Sequence, residues 1–344
     1  MAILKGAVIV AGISLFLVAL ENYFDHPQED PLPERITQWH NNGNYTNVHG
    51  HRMFYYLAGK LDETENVVIF IHGFPTSSYD YHRALDYLLD LLPNFKLVFF
   101  DHVGFGFSDK PQEDYEFTIH DHAENALELF RQLEIKTAHM VAHDMGDSVL
   151  TEIILRKHLK LLPNHFDEFF KTFTFTNGGM VYEKINFRIG QRLLLLPYIG
   201  PLISHFQVTF PGLAKRFSTQ QLSSIMNHEN EDLKNEDIDA IQRLIRWNDG
   251  HLITHKLGSY LKDRQRFQSR WFRALPHIAK PTMLFWADSD PVSPMDIPKH
   301  LAQFVFKPEA ITGKVLRKAG HFLMLEEPVK WSEVVADFVL SHPG

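Results

Sequence analysis

Short apolar runs alternate with helical patterns along most of the chain. Segments such as YHRALDYLLDLL and AENALELFRQL have the apolar spacing of an amphipathic helix. Between such segments lie β-rich runs, namely VVIFIHG, FKLVFFD, HMVAHD, FTFTNG, PTMLFWAD and GKVLRKAG. Because strands that alternate with helices form covered parallel sheets, the pattern predicts an α/β fold, with a mostly parallel sheet and helices on both faces.

The alternation stops between about Gly178 and Pro276. This stretch holds helical patterns, including RLLLLPYIGPLI and DIDAIQRLIRW, but no clear strand. We therefore predict a helical cap, residues 179–276, inserted after the sixth core strand. The core would then consist of two parts, residues 37–178 and 277–344.

The N-terminus carries an unbroken run of apolar and small residues from Gly6 to Leu20. At a rise of about 1.5 Å per residue, the run is shorter than a hydrocarbon core of roughly 30 Å unless MAIL joins it. A signal peptide is the alternative, but Leu17-Val18-Ala19 lacks the usual small-residue cleavage pattern. We predict an uncleaved single-pass membrane anchor over residues 1–24, followed by a polar, proline-rich linker over residues 25–36.

Composition narrows the classes of function. The net charge is -8 and no basic stripe is present, which argues against a nucleic-acid partner. The sequence has no cysteine, so disulfides, thiolate catalysis and cysteine-bound zinc are excluded. His120-Asp121-His122 is a candidate metal motif, but adjacent side chains point apart and no third ligand has a suitable spacing. We expect neither a metal nor another cofactor.

The segment VAHDMGDS joins an apolar run to the helical pattern VLTEIILRKH. A sharp strand-to-helix turn of this kind presents the nucleophile in the α/β-hydrolase fold, where the position usually holds serine. Here it holds Asp144. The earlier motif FIHGFP follows a strand and predicts an oxyanion hole built from the backbone N–H groups of Phe74 and Met145.

An acid and a histidine follow the nucleophile in the chain order that this fold requires. Asp290 lies in WADSDPVSP after an apolar strand, and His321 lies in AGHFLMLEEP after the last predicted strand. Both positions are at the carboxyl ends of strands, where open α/β sheets form their crevice. Asp288 is the alternative acid. The sequence therefore predicts an α/β-hydrolase with an Asp144-His321-Asp290 triad.

A carboxylate nucleophile suits particular reactions. An Asp with a pKa of about 3.9 is ionised at neutral pH without help from a base. It is suited to displacement at an sp3 carbon, as in an epoxide ring or a carbon–halogen bond, which leaves an alkyl ester on the enzyme. His321 would then activate the water that hydrolyses the ester, with the amides of Phe74 and Met145 stabilising the tetrahedral intermediate.

Several motifs together resemble one known family. HGFPTSSYDY, DHVGFGFSDKP, AHDMGD, WNDGHL and RWFRAL are similar to segments of the mesoderm-specific transcript family of membrane-anchored α/β-hydrolases, and the similarity runs from about Thr37 onward. That family is close to epoxide hydrolases and haloalkane dehalogenases, which also use an Asp nucleophile. The resemblance implies a hydrolase of the endoplasmic reticulum membrane and leaves its natural substrate open; we expect a small apolar substrate. The resemblance also leaves the oligomeric state open.

The leaving group separates the candidate reactions. Dehalogenases commonly hold the halide with a Trp directly after the nucleophile, whereas the side chains of Met145 and Phe74 cannot donate a hydrogen bond. Epoxide hydrolases protonate the departing oxygen with cap tyrosines; Tyr260 lies where the second falls, and Tyr182 and Tyr198 are candidates for the first. We predict hydrolysis of an apolar, lipid-derived epoxide. Lipid acyl-ester hydrolysis or transfer, haloalkane dehalogenation and a non-catalytic membrane scaffold are the alternatives.

Overall fold

The computed structural model describes residues 12–21, 31–62, 65–196 and 198–343. Within these residues, eight strands form one sheet. The strands are Asn44–Val48 (β1), His51–Gly59 (β2), Val67–Ile71 (β3), Lys96–Phe100 (β4), Ala138–His143 (β5), Phe170–Thr176 (β6), Thr282–Ala287 (β7) and Ile311–Leu316 (β8).

The strand order in the sheet is β1-β2-β4-β3-β5-β6-β7-β8. The β1–β2 and β2–β4 pairs are antiparallel, and every later pair is parallel. Strands β3, β5 and β7 are buried at every residue, as expected for strands with neighbours on both sides and helices over both faces. The six β-rich runs of the sequence correspond to β3 through β8, and the predicted α/β-hydrolase fold is confirmed.

The sequence patterns did not predict the edge hairpin β1–β2. Strand β1 buries only one of its five residues, Val48, and is otherwise polar except for Tyr45. A strand with so little buried surface has no apolar alternation to detect.

Helices cover the sheet and fill the segment between β6 and β7. Helix α4 packs on α5, and α3 packs on α14. The helical segments are 12–21 (α1), Glu34–Asn42 (α2), Leu85–Leu91 (α3), Ile119–Gln132 (α4), Met145–His158 (α5), Ile189–Leu194 (α6), Ile199–Thr209 (α7), Pro211–Ser223 (α8), Glu231–Arg246 (α9), Thr254–Leu257 (α10), Tyr260–Ala274 (α11), Asp296–His300 (α12), Leu323–Glu326 (α13) and Pro328–Leu340 (α14).

The segment between β6 and β7 contains helices α6 to α11, and its described residues include no strand. An inserted helical segment is thus part of the fold. The exact division into core, residues 37–178 and 277–344, and cap, residues 179–276, stays a prediction.

The predicted anchor and linker lie partly outside the described residues. Residues 12–21 of the anchor are helical, and the linker is described from residue 31 onward. Across the described ranges, we find no helix with both the length and the apolar character needed to cross a membrane.

Candidate active site

Asp144 occupies a strained turn between β5 and α5. Its backbone angles are φ 49° and ψ -108°, a conformation that is rare for any residue with a side chain. Two glycines leave the space that the turn requires. A Cβ added to Gly146 would lie 2.5 Å from the carbonyl oxygen of Ile71, and one added to Gly73 would lie 2.6 Å from Cβ of Asp144. The elbow therefore depends on small residues on both sides of the carboxylate.

Each carboxylate oxygen of Asp144 has its own partner. Oδ2 accepts a hydrogen bond of 3.0 Å from the backbone N–H of Phe74, as expected of an oxyanion-hole amide. Oδ1 accepts a hydrogen bond of 3.2 Å from Nη2 of Arg264, which also donates to the Asp144 carbonyl oxygen at 2.6 Å. Nε of Arg264 donates to Oγ of Ser148 at 2.8 Å. Asp144 is thus held between the loop that carries Phe74 and helix α11.

These partners determine the charge of Asp144. Burial alone would raise the pKa of its carboxyl group, which is only 2% exposed as a residue. Arg264, then His321 and His143, and the Phe74 amide stabilise the carboxylate and hold the pKa below its ordinary value. Asp144 is therefore ionised at neutral pH.

Met145 and the predicted base complete the surroundings of the elbow. Met145 is fully buried at the first position of α5, where a helix amide has no partner within the helix. Nδ1 of His321 lies 2.8 Å from Oδ2 of Asp290. The other oxygen of Asp290 accepts backbone hydrogen bonds of 2.7 Å from Val292 and 3.1 Å from Ser293. Asp290 is thus fixed in the orientation that binds Nδ1 and leaves Nε2 of His321 for a water molecule.

The electrostatic environment keeps His321 protonated in the resting protein. Burial lowers the pKa of the imidazole, but the charge and the hydrogen bond of Asp290, followed by the charge of Asp144, outweigh it and raise the pKa from 6.5 to about 9. The alternative acid, Asp288, is exposed, and its Oδ1 accepts hydrogen bonds from Ser289 and Lys318. The geometry thus pairs His321 with Asp290 and not with Asp288.

Two residues that the sequence analysis missed hold the His321 loop. Nδ2 of Asn177 and Nε2 of His143 both donate to the backbone carbonyl oxygen of His321, at 3.0 and 2.9 Å. Oδ1 of Asn177 accepts from the backbone N–H of Ala287 at 2.9 Å. Asn177 therefore ties the ends of β6 and β7 to the base. The sequence feature that could have identified Asn177 is its position at the end of the strand-like run FTFTNG.

His72 orients the oxyanion loop. Its Nδ1 donates to the carbonyl oxygen of Gly73 at 2.9 Å, and its Nε2 accepts from the backbone N–H of His102 at 3.0 Å. Burial lowers the pKa of His72 to about 4, so the imidazole is neutral and both hydrogen bonds persist at neutral pH.

The three candidate tyrosines have different surroundings. Tyr260 is fully buried, with its ring centroid 5.3 Å from that of Phe74 and 4.7 Å from the guanidinium carbon of Arg264. Its hydroxyl makes no hydrogen bond of ordinary length among the described residues, and the side chain of Gln191 is a weaker polar neighbour. Burial, then the charge of Asp144, raises its pKa. Tyr182 is partly buried and packs on Phe187.

Tyr198 differs from both. It is 84% exposed and lies outside the site. Of the three tyrosines, the structure therefore places Tyr260 close to the nucleophile.

Arg264 is the main addition that the structure makes to the site. It lies 120 positions from Asp144 in sequence, within a helix rich in basic residues, YLKDRQRFQSRW. The sequence feature that could have identified Arg264 is its position four residues after Tyr260, because this spacing places both side chains on one face of the helix.

The candidate metal motif is split by the fold. The side chain of His120 is 65% exposed, whereas His122 is buried with its ring centroid 4.8 Å from that of His102. Among the residues that the structure describes, no cluster of three or more His, Cys, Asp or Glu side chains is arranged to hold a metal ion. The expected absence of a metal stays a prediction.

Comparison with known proteins places this geometry in a family. Residues 68–334 match the alpha/beta hydrolase family. The Mesoderm-specific transcript homolog protein of Bos taurus is 27% identical over 338 residues, covering 96% of this chain and 95% of the relative. Epoxide hydrolase 3 of Xenopus tropicalis is 23% identical over 293 residues, covering 83% of this chain and 74% of the relative. The resemblance predicted from the motifs is confirmed.

A solved structure supports the same fold. The haloalkane dehalogenase DbeA from Bradyrhizobium elkani USDA94 superimposes with a TM-score of 0.68 at 20% identity, covering 87% of this chain and 97% of that one.

Proposed function

The chain belongs to the alpha/beta hydrolase family, and from that premise we propose that it hydrolyses an apolar, lipid-derived epoxide through a covalent alkyl ester on Asp144. One observation carries the proposal. An ionised carboxylate occupies the nucleophile elbow, and its Oδ2 accepts the oxyanion-loop N–H of Phe74 at 3.0 Å. A carboxylate in this position needs no base for its own attack. The His321-Asp290 pair, 2.8 Å apart, is then available for a second step.

In the first step, Oδ1 of Asp144 attacks an epoxide carbon and the bond from that carbon to the ring oxygen breaks. The electron pair of this bond leaves on the oxygen, which needs a proton. Tyr260 supplies it in this mechanism, because burial raises the pKa of its hydroxyl, which is therefore protonated, and the hydroxyl makes no hydrogen bond of ordinary length among the described residues. Tyr182 is the candidate for a second donor, whereas exposed Tyr198 is not.

In the second step, water hydrolyses the ester. Alkylation removes the negative charge of Asp144, one of the charges that raise the pKa of His321. The imidazole then loses its proton more readily, and this proton, carried by water, returns to the oxygen of Tyr260 that was deprotonated in the first step. The neutral ring can then accept a proton from the attacking water through Nε2. The hydroxide attacks the ester carbon, and the negative charge that develops on Oδ2 is stabilised by the N–H groups of Phe74 and Met145. The diol leaves and the carboxylate of Asp144 is restored.

Two surface features support attachment to a membrane, with residues 1–24 as the anchor. The side chains of Ile13, Leu15, Phe16 and Val18 are between 49% and 71% exposed, so the described residues leave most of this apolar helix uncovered and bury only the face of Leu17, Leu20 and Glu21 in part. Hydrocarbon is the usual environment of a helix that is apolar all round and not buried in protein. Location in the endoplasmic reticulum follows from the resemblance to the mesoderm-specific transcript family and is proposed on that basis alone.

Helix α7 supplies the second feature. It turns Gly200 and Ser204 inward, while Leu202 is 60% exposed and Val208 is 50% exposed. The carboxylate of Glu21, the last residue of helix α1, accepts hydrogen bonds from the backbone N–H groups of Gly212 and Leu213 at the start of α8. The cap would therefore lie beside the anchor and meet the lipid surface.

Intact-mass spectrometry of the full-length His321→Gln variant tests the mechanism. The variant is incubated with a mixed panel of lipid epoxides and long-chain haloalkanes. Attack does not need the base, so the ester should accumulate on Asp144, and the added mass identifies the substrate class. The Asp144→Ala variant is the control and should gain no mass. An absence of any adduct on folded protein would refute the alkyl-enzyme mechanism and favour an acyl-ester hydrolase or a scaffold.

A further inference from the structure

Arg264 lies over the attacking oxygen of the nucleophile. Its Nη2 is 3.2 Å from Oδ1 of Asp144, and its side chain is 2% exposed. Oδ1 is the oxygen that must approach the substrate carbon, because Oδ2 is held by the Phe74 amide. A substrate must therefore enter next to a buried cation.

The charge balance changes when the ester forms. In the resting site, Asp144 and Asp290 balance Arg264 and protonated His321. Alkylation removes the charge of Asp144 and leaves Arg264 without its carboxylate partner. A buried charge without a partner is strongly unfavourable. A neutral substrate would create this situation, whereas a substrate with its own anionic group would not.

The guanidinium group is able to bind such an anion. The hydrogen bonds of Arg264 in the described part of the chain use Nε and Nη2, so Nη1 is an open donor. Nη1 lies against Gly179, where an added Cβ would be 2.4 Å away. Planar pairing of two guanidinium nitrogens with a carboxylate is strong and directional.

We propose that the substrate carries a carboxylate on or beside the epoxide ring, and that Arg264 transfers from Asp144 to this carboxylate when the substrate binds. The transfer frees Oδ1 for attack and keeps the cation paired through the ester intermediate. An α,β-epoxy acid with an apolar tail has this chemistry. The inference rests on the function proposed above and specifies its substrate class.

Asp147 is the group within the protein that would balance the charge of Arg264 if the substrate had no anionic group. Its buried carboxyl group has a pKa raised well above the ordinary value, chiefly by burial, and its Oδ2 has no partner among the described residues. If Asp147 ionised on alkylation, it would supply the missing charge and the substrate would not need its own. The two cases differ in the reactivity of neutral epoxides.

The test uses the His321→Gln chain and two probes of equal ring and tail, trans-2,3-epoxydecanoate and trans-2,3-epoxydecan-1-ol. We expect the acid to alkylate Asp144 about tenfold faster or more. Arg264→Gln should remove this preference and Arg264→Lys should keep part of it. Arg270→Gln is the matched control, since Arg270 is on the same helix but its side chain is 49% exposed and pairs with Glu152.

The outcomes separate the two proposals. Equal alkylation by both probes, or slower alkylation by the acid, would overturn the carboxylate inference and leave the epoxide mechanism intact. If Asp147→Asn selectively slows the alcohol while the two probes react equally on the parent protein, Asp147 is the counter-charge and the inference is again wrong. No adduct from these probes or from any lipid epoxide rejects the proposed function itself.

A measurement without an Arg264 variant covers the case in which those variants do not fold. Decanoate and decan-1-ol are compared as protectants of the His321→Gln chain against alkylation by trans-2,3-epoxydecanoate. Decanoate should protect at a concentration about tenfold lower or less. Equal protection by the two compounds would contradict the inference.

Discussion

Nε2 of His143 donates a hydrogen bond of 2.9 Å to the backbone carbonyl oxygen of His321, so the residue before the proposed nucleophile holds the loop that carries the proposed base. The bond needs a proton on Nε2, and burial lowers the pKa of His143 to about 4, which fixes a neutral ring. We expect His143→Leu to displace His321 and slow hydrolysis of the alkyl ester by roughly 10- to 100-fold.

Single-turnover mass spectrometry measures this effect by following the decay of the adduct. His143→Gln should recover part of the rate, because its amide can donate to the same carbonyl oxygen. Formation of the adduct should change much less in both variants. Equal slowing of formation and decay would indicate general disruption of the site and not a displaced base.

The raised pKa of His321 predicts a stability change at alkaline pH. Its pKa rises from 6.5 to about 9 in the folded chain, so the protonated form stabilises the fold fully below about pH 6.5. This contribution is lost as the pH rises through about 9, and it is on the order of 3 kcal/mol at most. Urea denaturation at pH 6 and pH 10 should show a larger loss for the native chain than for His321→Gln. A loss of the same size in both proteins would contradict the prediction.

The ion pair with Arg264 should determine the lowest pH at which Asp144 is still ionised and can attack the substrate. The guanidinium is the largest of the influences that lower the pKa of Asp144, against burial, which raises it. Removal of the guanidinium should raise the pKa of Asp144. As the pH is lowered, alkylation by a neutral epoxide should therefore stop at a higher pH than in the parent protein. Adduct formation between pH 4 and pH 8 is compared for His321→Gln alone and combined with Arg264→Gln. Coincident pH profiles would show that Arg264 does not control the charge of the nucleophile.

Local motifs after the apolar runs were sufficient to predict the sheet and the proximity of Asp144, Asp290 and His321. Asp144 directly follows β5, Asp290 lies three residues beyond β7 and His321 five residues beyond β8, and the carboxyl ends of neighbouring parallel strands meet at one edge of a sheet. The order of these runs therefore predicts proximity without any knowledge of the cap. Asp290, which we preferred to Asp288 because it lies further along the turn that follows β7, is 2.8 Å from Nδ1 of His321, and its role as the acid stays a prediction.

The cap contacts could not be predicted in the same way. Arg264 approaches Asp144 from a helix 120 positions away, and only packing of the cap on the core brings them together. Tyr198 was a candidate for the first cap tyrosine through the resemblance to epoxide hydrolases, and the helical apolar pattern around it would normally face the protein. Here α7 reverses that rule, with Gly200 and Ser204 inside and apolar side chains outside, and Tyr198 is 84% exposed.

We expect the exposed apolar side chains of α7 to contact lipid. The chain has no native cysteine, so single-cysteine variants can carry one fluorescent label each. Leu202→Cys and Leu161→Cys are matched, with exposures of 60% and 66% for the native side chains on the cap and on the core. In phosphatidylcholine vesicles with brominated acyl chains, the label at 202 should be quenched and the label at 161 should not. Equal accessibility of both labels to water would rule out the lipid contact.

Tyr260 is the residue that distinguishes epoxide opening from displacement of a halide. Only the epoxide oxygen needs a proton as it leaves, so Tyr260→Phe should slow alkylation by an epoxide by roughly 100-fold and leave alkylation by a haloalkane unchanged. The hydroxyl is buried and makes no hydrogen bond of ordinary length among the described residues, with Gln191 as a weaker polar neighbour. Its removal should therefore change the free energy of unfolding by less than about 1 kcal/mol.

Two tyrosine variants control this experiment in the His321→Gln background. Tyr198→Phe should have no effect, because that side chain is 84% exposed and outside the site. Tyr182→Phe reveals whether a second proton donor is needed, through a further loss when it is combined with Tyr260→Phe. If Tyr260→Phe slows both substrate classes equally at unchanged stability, the tyrosine shapes the pocket and the proton comes from elsewhere. If Tyr260→Phe slows alkylation by epoxides but not by haloalkanes, the hydroxyl must act on the departing oxygen.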